Sequence, residues 1–376
     1  MFQPASTLTV SDLQATTVAL RYHGDPALKV QLVRTDESGH VLFFVVDGNL
    51  YDGEGYLIAD AKAEGCTECL EIGVMEMLAI PAPGQCDKYF LFSMNTATNS
   101  SADLGLQIAI LDLAGTNPHW PGHRGRLMNV YDGEQLAYPP WSNWVIGSYQ
   151  DEYTSNFVGS LLGDQGMKSS TPILRAIDPT GSGELYWLYV ISTLRVTQFR
   201  IDASGVQLVP TVAGDFVPTY SDQVNFGYKP RYRDASVCAA GGQVRLAMTN
   251  CGQYGWTQSG GVDADDDAIL VMRFNSTTGA FISSVGIDDG TGGLPHFAAC
   301  DAPTWAAPGF RGGANGIAWL AAGSKLLITG DSYENDTWSQ RMGVFDMVNQ
   351  LWTDLIAPLA VQDAEDYVRS RLYRNT

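Results

Sequence analysis

The chain has 376 residues, 45% of them hydrophobic and 17% charged, with acids outnumbering bases 41 to 22. A net charge of −19 excludes nucleic acid and anionic membrane as natural partners, because both are polyanions. The 40 glycines, 17 tyrosines and 9 tryptophans suit many short strands joined by tight turns, in one large all-β domain or two ordinary ones.

The opening "MFQPASTLTVSDLQ" has neither a basic n-region nor an apolar h-region. No apolar run approaches the roughly 18 residues of a membrane span. The chain is then either cytosolic or a mature or trimmed form, and the second reading is preferred. Short solid apolar runs and period-2 alternation then recur along almost the whole chain. They predict strands over 41–46 (VLFFVV), 89–94 (YFLFSM), 106–113 (LQIAILDL), 185–191 (LYWLYVI), 196–201 (VTQFRI), 244–249 (VRLAMT), 268–274 (AILVMRF), 316–321 (GIAWLA), 325–330 (KLLITG) and 341–347 (RMGVFDM). Only 71–80 and the tail 364–373 have helical spacing, and 71–80 stands where a strand is expected.

These strands come in phrases. A solid run is followed by an amphipathic strand that ends in Asp-x-x-x-Gly or a near variant. "LYWLYVISTLRVTQFRIDASG" is one phrase and "KLLITGD…RMGVFDMVNQLW" another. The markers Phe43, Leu91, Leu188, Leu246 and Leu327 are spaced by 48, 97, 58 and 81 residues. A doubled second gap implies a further weak copy near 143–153. A unit near 50 residues predicts a β-propeller of six to eight blades, seven as the central expectation, each a four-stranded antiparallel sheet. The solid run is expected to be the inner strand of each blade. The whole of 1–376 is read as one domain, with 1–38 and 355–376 closing the ring or extending from it. A large β-sandwich is the competing architecture.

The phrases also resemble the propeller-like region of large secreted surface proteins of gliding Bacteroidetes, which are associated with type IX secretion. Asp47–Gly48, Asp52 to Gly55, Pro81 to Gly84, Tyr89 to Ser93 and Gly105 to Asp112 follow that family's order of turns and strands. Residues 315–332 are similar to a blade strand of those proteins and of YVTN-type propellers. The likeness covers roughly 40–115, 170–205 and 312–352. It implies display at, or release from, the cell surface, and it brings no catalytic residues.

Candidate chemistry lies in the loops. Asp263, Asp265 and Asp267 alternate as in the opening of a calcium loop, although Ala268 and Phe274 stand where an EF-hand needs glycine and glutamate. Asp47, Asn49, Asp52 and Glu54 crowd a second loop, which turn chemistry alone also explains. Calcium is the one cofactor these patterns suggest. In "NPHWPGHRGR" (117–126), prolines disfavour a helix that would pair His119 with His123. Tyr138, Trp141, Trp144, Trp120, Trp256 and Trp338 are the candidates for stacking on a ligand. Cys66, Cys69, Cys86, Cys238, Cys251 and Cys300 are an even set and candidates for disulfides, with connectivity open. No G-x-S-x-G or H-E-x-x-H is present. The expected function is a non-enzymatic extracellular or cell-surface module for adhesion or surface assembly, whose partner is a glycan or a surface protein. Alternatives are a propeller enzyme acting on polysaccharide, of hydrolase or lyase type, and a subunit of an extracellular polymer that self-assembles.

Overall fold

The computed structural model describes residues 22, 31–46, 49–59, 77–95, 105–128, 173–191, 196–209, 232–250, 267–288, 291–295, 313–320, 323–334, 337–356 and 359–360. They form five antiparallel sheets whose strands follow one another in chain order. Sheet A holds β1 (Gln31–Thr35), β2 (Val41–Val46), β3 (Asn49–Asp52) and β4 (Leu57–Ala59). Sheet B holds β5 (Met77–Pro81), β6 (Lys88–Asn95), β7 (Gly105–Thr116) and β8 (Arg124–Met128). Sheet C holds β9 (Ile173–Ile177), β10 (Tyr186–Ile191), β11 (Val196–Asp202) and β12 (Gly205–Leu208). Sheet D holds β13 (Tyr232–Ala240), β14 (Gln243–Asn250), β15 (Asp267–Asn275) and β16 (Phe281–Asp288). Sheet E holds β17 (Gly313–Leu320), β18 (Lys325–Glu334), β19 (Thr337–Asp346) and β20 (Leu351–Asp354), with β21 (Leu359–Ala360) also paired to β19. The chain divides into two compact units, one carrying sheets A and B and the other sheets C, D and E.

Every strand predicted from hydrophobic pattern is present, and the end of the ambiguous 71–80 stretch forms β5. The tail 364–373 and the copy expected near 143–153 lie outside the described residues, as do parts of 1–38 and 355–376. The solid apolar run is the second strand of its sheet in every case: β2, β6, β10, β14 and β18. A second strand has a hydrogen-bonded neighbour on each edge and another sheet, or the loops, over each face. Sheet D shows the result. Leu246 and Met248 of β14 pack with Trp187 and Tyr189 of sheet C, while Ala247 packs with Ile317, Trp319 and Ile328 of sheet E. Both faces are dry, so the strand has no solvent side on which to alternate. Burying Trp187 or Phe274 in such a place stabilises by about 2–3 kcal/mol each.

The first strands carry polar side chains because they cross-link neighbouring sheets. In the first unit Arg34 of β1 donates to the Ala79 carbonyl of β5. In the second, Arg175 of β9 donates through Nε to the Ala235 carbonyl at 2.5 Å and pairs through Nη2 with Asp234 of β13 at 2.6 Å. The other oxygen of Asp234 accepts from the Ile317 amide of β17 at 3.0 Å. Ser236, also on β13, accepts through Oγ from the Trp319 amide and through its carbonyl from the Trp319 indole, each at 3.1 Å. One strand thus ties β9 to β17 with directional bonds that apolar residues could not supply.

The phrase ends in a local turn held by its first residue, with Asp-x-x-Gly spacing at Asp52–Gly55, Asp112–Gly115 and Asp202–Gly205. At or near the end of the third strand of each sheet, one side-chain oxygen accepts from amides two to four residues on. Asp52 Oδ1 takes Glu54 and Tyr56, Asp112 Oδ1 takes Ala114 and Gly115, and Asp202 Oδ1 takes Ser204. Asn275 Oδ1 takes Thr277 and Thr278, and Asp346 Oδ1 takes Val348 and Asn349. Short polar side chains favour such turns because they replace a backbone acceptor locally.

Candidate functional site

Two hairpins of the first unit meet at their tips. One is the β3–β4 turn, Asp52 to Gly55. The other is the β7–β8 loop, where Asn117 is buried and organises its neighbours. Asn117 Oδ1 accepts from the amides of His119 (2.9 Å) and Trp120 (3.2 Å), and its Nδ2 donates across to the Leu57 carbonyl at 3.0 Å. Backbone bonds from Asn117 to His123 and from His123 to Trp120, both 3.0 Å, close the loop. Gly125, with φ at +103°, lies over Ile58 so closely that a Cβ would sit 2.6 Å from its Cδ1. The joint between sheets A and B therefore depends on a side-chain-free position.

The loop places three rings together. The Tyr56 and His123 rings lie 3.5 Å apart between centroids and 30° from parallel, and Trp120 meets Tyr56 edge-on at 5.5 Å. Trp120 keeps 47% of its surface open to solvent. His123 Nδ1 stands 3.7 Å from Asp52 Oδ2 and 3.8 Å from Glu54 Oε2. Asp52 is largely covered, whereas Glu54 is 63% exposed at the rim. The result is an exposed indole beside a half-covered imidazole–phenol stack, bordered by two carboxylates. Such a surface offers a flat apolar face and hydrogen-bond acceptors together. Among the described residues, no three His, Cys, Asp or Glu side chains are arranged to hold a metal ion.

Of the residues singled out from sequence, the structure brings Trp120, Asp52, His123 and Glu54 into this one place. Asn49 is the first residue of β3, and its buried Oδ1 accepts no hydrogen bond. Asp267 is the first residue of β15, opposite Asp288 in the register, and Trp338 in β19 is opposite Tyr333. Cys86 is a free, exposed thiol ahead of β6. Cys238 sits half-buried in β13 against the core between sheets D and E. Tyr138, Trp141, Trp144, Trp256, Asp47, Asp263, Asp265, Cys66, Cys69, Cys251 and Cys300 lie outside the described residues. Sequence reasoning missed Tyr56 and Asn117. Tyr56 follows the Asx-turn glycine directly, and Asn117 opens the Pro- and His-rich loop, so both were within reach of a reading that treated turn-flanking residues as site residues.

No protein-family model matches the chain, and no curated protein matches it in sequence. Among solved structures, the periplasmic gluconolactonase of Pseudomonas aeruginosa is similar at 12% identity and a TM-score of 0.40, over 88% of this chain and 69% of that one. The GH93 α-L-arabinofuranosidase of Fusarium graminearum, in complex with arabinobiose, is similar at 8% identity and 0.39, over 89% and 82%. The Dos1 propeller is similar at 9% identity and 0.30, over 90% and 88%. At these scores the likenesses transfer no function, so any function has to come from the sheets and side chains of this chain.

Proposed function

We propose that the protein is an extracellular or periplasmic β-propeller that binds glycans through its loops without cleaving them. The propeller reading is supported by the five four-stranded sheets, by the packing of sheet D against a sheet on either face, and by the first-strand cross-links inside each unit. Six to eight blades, seven as the central value, are the reading of the repeat length in the sequence. The observation that carries the binding reading is the exposed Trp120 indole, held by a buried asparagine beside Tyr56, His123 and Glu54. Indole and phenol faces stack on the C–H faces of sugar rings while neighbouring carboxylates accept from their hydroxyls. Adhesion to a surface glycan or protein, and self-assembly, belong to the same proposal, as does calcium held by the loop of Asp263, Asp265 and Asp267. If that ion is structural, EDTA lowers the melting temperature, and an unchanged melt removes it.

The rival reading is a propeller glycoside hydrolase, the activity named for some of the distant structural neighbours. The two readings separate in one experiment. A panel of soluble polysaccharides is run in affinity electrophoresis with the wild type and with Trp120→Ala, while the same mixtures are assayed for reducing ends. The proposal expects retardation by at least one glycan, loss of about tenfold in affinity in the variant (roughly 1.4 kcal/mol), and no reducing ends. Reducing ends that accumulate with time establish the enzyme, and equal retardation of the variant removes Trp120 from the site.

A further inference from the structure

Sheet D carries two arginines with no acid paired to them among the described residues. In the β-ladder Cys238, Arg245, Arg273 and Ser283 stand directly opposite one another across β13, β14, β15 and β16. Their side chains share the face of sheet D that looks toward sheet E, as the alternation with Leu246 and Phe274, which pack toward sheet C, requires. Directly opposed residues on one face have Cβ atoms about 5 Å apart, and like charges there are destabilising. Arg245 donates through Nη1 to the Gly323 carbonyl at 2.6 Å. No carboxylate pairs with either guanidinium among the described residues, although the chain holds 41 acids against 22 bases. The Nε of each is buried and has no hydrogen-bond acceptor. A β-bulge lies beside Arg273 on the partner strand: Phe281 is opposite Phe274 and Ser283 opposite Arg273, which leaves Ile282 of β16 as the extra residue. Bulges re-aim a side chain and are enriched beside functional sites.

A buried donor without an acceptor destabilises the fold, and the opposed charges add to that. Two forks of five donors each, side by side, match the planar or tetrahedral oxygens of one oxyanion. We propose that Arg245 and Arg273 form a binding site for a carboxylate or sulfate group between sheets D and E. Ser283 supplies a hydroxyl beside Arg273, and the Gly323 carbonyl fixes the Arg245 fork. The site is independent of Trp120 and of the glycan reading. It would take a uronate or a sulfate ester on a larger ligand, or the free ion.

The test is a thermal melt and a calorimetric titration of the full chain with sodium sulfate and, separately, sodium glucuronate, each at ionic strength fixed with chloride. The expected result is a saturable rise in melting temperature with at least one of the two ions, and none with chloride. Which ion acts separates the sulfate from the carboxylate source. Arg273→Gln should weaken that binding at least tenfold, and Arg273→Lys, which keeps the charge but not the fork, should fall between. Without ligand, Arg273→Gln should melt at or above the wild type, because it removes the opposed charge. A response that does not saturate, an equal response in Arg273→Gln, or a glutamine variant that melts well below the wild type overturns the proposal.

Discussion

The Asp52 and Asp112 turns are the same device with different outcomes. Both sit on a third strand, Asp52 at the end of β3 and Asp112 at a bulge within β7, and in both Oδ1 accepts two backbone amides. They differ in what the second oxygen meets. Asp112 Oδ2 is gripped by Arg126 of its own sheet, through Nε at 3.1 Å and Nη2 at 3.0 Å. Asp202 meets Arg200 at 2.9 Å, and Asp346 faces Lys325 at 3.7 Å, again within one sheet. Asp52 Oδ2 instead faces His123, which belongs to the neighbouring sheet. One oxygen is spent on the turn in every sheet. Where the other is bound at home the turn is structural, and where it points across to the next sheet it becomes part of a surface.

The comparison breaks first at Asp112. Asp112 is 6% exposed and its carboxylate carries both the turn and a two-pronged ion pair. Asp112→Ala removes the cap and strands a partly buried guanidinium, at an expected cost of about 3 kcal/mol. In denaturant unfolding this appears as a lower midpoint with an unchanged slope. A loss under about 0.5 kcal/mol, the scale of an ordinary surface substitution, would show that the cap is ornamental.

The Asp52 turn separates the two roles. Asp52→Asn keeps an oxygen for the cap and removes the charge that faces His123. Stability should change by under about 1 kcal/mol, the scale of a partly exposed pair, while retardation by a bound glycan should weaken several-fold. Asp52→Ala loses the cap as well and should cost about 1 kcal/mol more, by analogy with the loss of a helix-capping side chain. If the asparagine variant binds as the wild type does, the carboxylate serves the turn alone.

Much of this was legible in the sequence, for definite reasons. The second and third strands announced themselves because they are dry on two faces or on one. The recurring turn after the third strand announced itself because its first residue, an Asp or Asn, holds the local amides in every sheet. The first strands of sheets A, C and D were not legible, whereas those of sheets B and E were partly read, at 71–80 and 316–321. QLVRT, ILRAI and YRDASVCAA read as ordinary surface until Arg34, Arg175 and Asp234 are seen reaching the next sheet. The marker Leu327 was one residue off. Counted from the turn, the residue equivalent to Leu246 is Ile328, which is fully buried. The site was legible in pieces only. Asp52 and Glu54 stood out in one loop, Trp120 and His123 in another, and nothing local says that two tips so far apart in the chain will touch.

The smallest expected effect sharpens the same point at exposed turns, where the local bonds act without a buried partner. At the β1–β2 turn, Asp36 accepts from the Ser38 hydroxyl at 2.7 Å and from the Ser38 and His40 amides at 2.9 Å each. The Ser38 hydroxyl, followed by the His40 amide, holds its carboxyl at about 2, below the usual carboxylate value. At the β19–β20 turn, the amides of Asn349 and Val348 lower Asp346 in the same direction. A carboxyl whose folded value is depressed favours folding above its unfolded value, near 4, and that contribution is lost as pH falls through the folded value. The Asp36 turn should therefore hold at pH 5 and loosen only between about pH 4 and pH 2. Carbon-13 titration of the Asp36 carboxyl should give a midpoint clearly below the ordinary aspartate value of about 3.9. Ser38→Ala should move that midpoint up while leaving the global melt at neutral pH within error, because the turn is open to water. A midpoint already near 4 in the wild type would mean that the turn bonds do not persist in solution, and that Asx caps hold only where, as at Asp112, the second oxygen is buried against a partner.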